Sequence, residues 1–169
     1  KEKHENLWIA QREGRAKDSN DLTQKSVLKM FALGAEGTLL ERLQQFHIVP
    51  LSISYEYDPC DYLKAAEMQA KRDDANWKKG PMDDVVSMQT GIMGYKGAIH
   101  YQAAPCIDEY LETLKAATDM SNGQLLDAIC LHIDKEINRN YRLYANNYVA
   151  LDELEGTVAY TDKYTAEDK

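Results

Sequence analysis

His47-Ile48-Val49-Pro50-Leu51-Ser52-Ile53-Ser54-Tyr55-Glu56-Tyr57 is the stretch that decides the fold class. Leu51, Ile53, Tyr55 and Tyr57 alternate with Pro50, Ser52, Ser54 and Glu56, the period of two that a strand imposes on its side chains. Pro50 has no N–H to give to a ladder, so it belongs at the strand's start or on an edge. Asp58-Pro59 ends the strand, and helical signals flank it. Upstream, Thr38 and Glu41 form a capping box, with Leu39, Leu40, Leu43 and Phe46 on one apolar face behind it. Earlier still, Val27, Leu28 and Phe31 recur at helical spacing from about Thr23, and Gly34 closes that helix. Downstream, Asp61 is placed to cap a polar helix over about 62–73, and Pro81 suits the first turn of a helix carrying Val85, Val86, Gln89 and Ile92 on one side.

Gly94 to Gly97 returns the chain to a second strand, 98–103, stopped by Pro105. Ile107, Tyr110, Leu111 and Leu114 mark the next helix. Ser121 and Gln124 cap the longest one, where Leu125, Leu126, Ile129, Ile133 and Ile137 repeat at about one turn. Leu7-Trp8-Ile9-Ala10 reads as a further short strand. Strands alternating with amphipathic helices make an α/β pattern, expected as a partial mixed sheet flanked by helices. About three strands against five or six helices cannot cover so much helix, so part of the sheet is expected to lie outside this chain.

Composition narrows the functional classes. With 169 residues, 44% hydrophobic and 28% charged, the chain can build one compact domain or a large part of one. The net charge of -8 leaves no global basic field for nucleic acid, so an anionic partner needs a local basic patch. Residues 1–156 read as the folded part, and 157–169 as an acidic tail expected to be flexible, because it lacks an apolar period. Cys60, Cys106 and Cys130 stand apart in sequence with no CxxC or Cys/His spacing, so free thiols and no metal site are expected. No run approaches the roughly 18 apolar residues of a membrane span.

Chemistry concentrates in Trp8-Ile9-Ala10-Gln11-Arg12-Glu13-Gly14-Arg15-Ala16-Lys17-Asp18. A glycine allows a sharp turn after the apolar run, and Arg12, Arg15 and Lys17 cluster where α/β sheets gather ligands. Guanidinium forks and a lysine point charge suit a phosphate monoester. Among the other candidates, Cys60 has acidic neighbours that disfavour a thiolate nucleophile. His132 is expected on the surface, and His100 partly buried in its strand. Met82, Met88 and Met93 are expected to fill core gaps.

Three landmarks in order give these residues a family resemblance. Glu13-Gly14 followed by cationic residues resembles the Glu-Gly block of the glycerol-3-phosphate and lysophosphatidic acid acyltransferases. Ile48-Val49-Pro50-Leu51-Ser52-Ile53 is similar to that family's later Val-Pro strand, and Gly97 to Ile107 resembles its strand leading to a Gly-x-Pro-Ile segment. From Glu5 to about Gly156 the chain looks like a Bacteroidetes-type branch. The resemblance implies the back half of a glycerolipid acyltransferase-like domain, acting at the cytoplasmic face of the inner membrane through peripheral contact. Its activity would be transfer of an acyl group from an acyl carrier protein or CoA thioester to a lipid-like acceptor, in phospholipid or related lipid biosynthesis. The thioester is then a donor substrate, and no other cofactor is implied.

Carried over residue by residue, the resemblance assigns acceptor binding to Glu13, Gly14, Arg15, Lys17 and Arg12, and a shaping role to Pro50. The family's arginine falls where this chain has Ala16, so Arg15 or Lys17 would substitute, and Arg12 stands in place of the usual proline. The family's catalytic histidine and aspartate, four residues apart, are missing. Five residues after His4, His47, His100 and His132 come Ile9, Ser52, Pro105 and Ile137. The dyad is expected upstream of Lys1, and the chain alone is expected to be inactive. The rival expectations are a non-catalytic phosphate-binding or interaction module and a plain scaffolding domain.

Overall fold

The structure is a computed structural model that describes residues 5–10, 22–117 and 119–169. The elements run α1 (Lys25–Ala32), α2 (Leu39–Gln44), β1 (Leu51–Tyr55), α3 (Asp61–Asp73), α4 (Asp83–Met93), β2 (Ile99–Ala103), α5 (Asp108–Leu114), α6 (Asn122–Asn140) and α7 (Ala145–Glu155). This is an α/β fold with a small sheet. The chain divides into two compact units, Lys1–Leu51 with Ala103–Asn140 and Ser52–Gln102 with Tyr141–Lys169.

The first unit holds the hydrophobic core. Leu125, Leu126, Ile129 and Ile133 are buried on α6, at the spacing that puts one stripe along a helix. They pack with Leu28, Leu40, Leu43, Ile107 and Leu111 from α1, α2 and the start and body of α5. Each fully buried aliphatic contributes about 1.5–3 kcal/mol by leaving water. Both sequence-predicted capping boxes are present. The Thr38 N–H donates to Glu41 Oε2 (2.8 Å), and the Ser121 N–H donates to Gln124 Oε1 (2.9 Å). The N–H and hydroxyl of Thr23 both donate to Asp134 Oδ1, at 2.8 and 2.6 Å, tying the approach to α1 onto α6. Ahead of β1, the carbonyls of Ile48 and Pro50 accept from Ile107 and Ala104 at 3.0 and 2.9 Å.

The second unit is organised around two strands. They pair antiparallel, with the N–H of Glu56 on the carbonyl of Ala98 (2.9 Å) and that of Tyr57 on Lys96 (3.0 Å). This register sets Tyr55 opposite Ile99 and Ile53 opposite Tyr101, on one face of the sheet. That apolar face is open, with Tyr55 40%, Ile99 45% and Tyr101 59% exposed. The opposite, polar face carries Ser52 and Ser54, which are buried. Ser54 Oγ accepts the Arg142 N–H at 2.9 Å, and the Asn146 amide donates to the Glu56 carbonyl. Relative to solvent, the sheet is inverted.

Several expectations from sequence are corrected here. Among the described residues the sheet is a two-stranded antiparallel pair rather than a mixed one. Residues 5–10 form no strand, and Leu7 and Trp8 lie exposed; with no neighbouring strand among the described residues, the apolar run has no ladder to join there. Neither α3 nor α4 buries a residue. Val85, Val86 and Ile92 therefore face solvent, and Met82, Met88 and Met93 fill no core. Asp61 sits inside the first turn of α3, and Asp58 instead accepts the Cys60 N–H at 2.9 Å. Helix α7 has no apolar period that the sequence could announce. Gly156, at φ +65, closes it in the left-handed region that glycine adopts without a Cβ penalty. Beyond it the chain is tied back by the buried Asp152, which accepts from Thr157 Oγ1 (2.6 Å), the Ala159 N–H (2.9 Å), the Tyr160 N–H (3.1 Å) and Tyr164 Oη (2.8 Å).

Candidate functional site

Arg12, Glu13, Gly14, Arg15 and Lys17 lie outside the described residues. Pro50 is buried immediately before β1, where its missing N–H costs the sheet nothing and its carbonyl holds Ala104. The stretches 48–53 and 97–107, which carry two of the three sequence landmarks, run side by side as hydrogen-bonded neighbours.

A chemically richer group forms in the first unit, where the fold gathers His47, Cys106 and Asp108. His47 stands at φ 48, in the left-handed turn that redirects the chain from α2 toward β1. Non-glycine residues seldom adopt that conformation, although histidine tolerates it better than most. Cys106 follows Pro105 in the link from β2, and Asp108 opens α5. Nδ1 of His47 lies 2.6 Å from Asp108 Oδ2, although the two residues are 61 positions apart. One potential ligand atom from each of the three side chains falls within 4.8 Å of the others. Asp108 Oδ1 is buried with no hydrogen-bond partner among the described residues. Burial and the neighbouring Asp108 carboxylate push the Cys106 thiol up, while the Asp108 N–H works in the other direction. Sequence reasoning did not bring these residues together, because His47 lies about sixty positions from Cys106 and Asp108.

The remaining candidates are structural in their contacts. His132 is half-buried rather than on the surface, its ring stacked on Tyr110 at 3.8 Å between centroids. Burial holds its imidazolium below the ordinary histidine range, with Lys135 adding to the effect and Glu136 opposing it. His100 is partly buried in β2, as its strand position implies. The Cys60 thiol is buried and donates to the Ser87 carbonyl at 3.2 Å. An open concavity of about 390 Å³ has a mixed lining, with Leu39, Leu114, Met120 and Leu125 beside Glu41 and Lys115. No described helix is long and apolar enough to cross a membrane.

No family model matches the chain, and none of the curated proteins and none of the solved structures matches it.

Proposed function

We propose that this chain is the acceptor-binding half of an acyltransferase, completed by a His/Asp-bearing segment upstream of it. The reaction is attack of an acceptor hydroxyl or amine on the thioester of an acyl carrier protein or CoA, with the upstream histidine taking the acceptor's proton. In this reading Glu13 and Gly14 form the turn, and Arg12, Arg15 and Lys17 hold the anionic head of a lipid-like acceptor. Pro50 shapes the strand beneath, and membrane contact is peripheral.

The observation that carries the reading is the inverted sheet. An antiparallel sheet ordinarily turns its polar face to water, and here Tyr55, Ile99 and Tyr101 are exposed while Ser52 and Ser54 are buried. The exposed apolar residues of α4 point the same way. Both features fit a domain whose remaining layer lies in another segment. The ordered sequence landmarks name the family that would supply it.

The test begins with the coding sequence upstream of Lys1. A histidine and aspartate four residues apart, followed by acyl transfer in the joined protein and none in this chain alone, is the expected result. Acyl transfer by this chain alone would refute its incompleteness. An upstream region without the pair would remove the enzyme reading and leave an anion-binding module. In that case phosphomonoester binding lost on Arg15→Ala is the expected behaviour.

A further inference from the structure

The structure assigns a second chemistry to the first unit: we propose that His47, Cys106 and Asp108 form a zinc site, with a fourth coordination position open to water. The inference does not depend on the acyl-transfer reading. It rests on three donor types brought together from two distant segments, all within 4.8 Å. An imidazole, a thiolate and one carboxylate select a borderline-soft ion over magnesium or calcium, which prefer all-oxygen shells. Three protein ligands with one position left for solvent is the arrangement of an accessible zinc site rather than a closed structural one.

The geometry needs a small adjustment. Nδ1 of His47 and Oδ2 of Asp108 are 2.6 Å apart, a hydrogen-bond distance. Two ligands on one tetrahedral zinc stand about 3.3 Å apart, given bonds of about 2.0 Å. The pair must therefore open by about 0.7 Å before both can bind one ion. His47 can provide that movement, because its side chain is 78% exposed. Asp108, whose side chain is 28% exposed, is the more fixed anchor at the start of α5.

One further observation fits an ion there. Asp108 Oδ1 is buried without a partner among the described residues, which leaves part of its carboxylate charge unanswered. A divalent cation on the same carboxylate answers it. The left-handed backbone at His47 is retained by asparagine, so the ligand can be deleted without disturbing the turn.

The experiment is titration of the chelator-stripped full chain with Co²⁺ in excess Mg²⁺, read by optical absorption. One equivalent should bind with a thiolate-to-cobalt charge-transfer band and tetrahedral d–d bands, and Zn²⁺ should displace it. His47→Asn and Cys106→Ser should each weaken binding at least tenfold, and Cys106→Ser should abolish the charge-transfer band. Cys60→Ser and Cys130→Ser should leave both unchanged, with circular dichroism reporting that every variant is folded. The proposal is overturned if no thiolate band forms. It is equally overturned if affinity is unchanged in His47→Asn, or if the band is lost with Cys60 or Cys130 instead.

Discussion

Replacing Gly97 with alanine isolates the turn that sets the register of the two strands. Gly97 lies at φ +61, and a Cβ there would stand 2.3 Å from Glu56 Oε2, 2.8 Å from Tyr57 Cδ2 and 2.9 Å from Glu56 Cβ. The left-handed backbone costs alanine about 1–2 kcal/mol. The Glu56 carboxylate must also move, which breaks its 2.7 Å hydrogen bond from the Ala98 N–H. A hydrogen bond to a charged group is worth about 1.5–3 kcal/mol when buried, and the lower end applies at this exposed position. Against these, alanine reduces the freedom of the unfolded chain by about 0.4–1 kcal/mol. The net expectation is a loss of about 2–3 kcal/mol. In urea unfolding followed by circular dichroism, the midpoint should fall by about 1–1.5 M at a slope of about 2 kcal/mol/M. Amide exchange at Ala98 should accelerate by an order of magnitude or more. Gly34→Ala is the control, because a Cβ there meets nothing within 4 Å. A Gly97→Ala protein within about 0.5 kcal/mol of wild type, the ordinary range for surface substitutions, with Ala98 still protected, would refute the reasoning.

Ile129→Ala, at a fully buried position of α6, should cost about 2–5 kcal/mol in the same assay. Tyr101→Ser should change the stability of this chain by less than about 0.5 kcal/mol, since the side chain is largely exposed. The same change should destabilise the protein joined to its upstream segment, and equal effects in both would argue against the sheet face being covered there. Burial alone would raise the Asp152 carboxyl, but hydrogen bonds from Thr157, Tyr164, Tyr160 and Ala159 outweigh it and hold the group below the ordinary aspartate value of 3.8. Its contribution is therefore complete above that value and is lost as pH falls through the lower folded value. Asp152→Asn should speed limited proteolysis within 157–169, and unchanged cleavage would show that the anchor is dispensable. The imidazole of His132 should titrate below 6.5 by NMR, so its neutral form stabilises the fold fully above that pH and less as pH falls through the folded value.

Local signals survived into the structure wherever one interaction sufficed to define them. The boxes at Thr38/Glu41 and Ser121/Gln124 are short-range hydrogen bonds, and both are present. The stripe Leu125, Leu126, Ile129, Ile133 is a periodic burial signal, and it lies in the core. Helix α7 was illegible for the opposite reason. It is held by side-chain contacts such as the Tyr144 N–H to Asn147 Oδ1 (2.9 Å) and the buried Asp152, not by an apolar stripe. The apolar pattern of α4 and of residues 7–10 was legible as pattern, yet it predicted burial that did not follow. A period says which residues want a partner and says nothing of whether the partner is present.

That distinction separates the two functional readings. The period of two in β1 set Leu51, Ile53, Tyr55 and Tyr57 against a more polar face, and the structure leaves Tyr55 exposed and Ile53 half-buried while burying Ser52 and Ser54. A two-stranded sheet on its own is marginal in water. This one is secured through its polar face, by the Arg142 N–H on Ser54 and the Asn146 amide on the Glu56 carbonyl. Those contacts stabilise the strands without using the hydrophobic surface that the sequence invested in them. An exposed apolar face on the one strand pair is surface that a further segment could cover, which is what the proposed acyl-transfer reading asks of it. The His47, Cys106 and Asp108 group carries no such debt to another segment, since its donors all belong to one unit with its own core. Metal binding is thus the proposed property that this chain should display by itself, whereas the proposed acyl transfer requires a further segment.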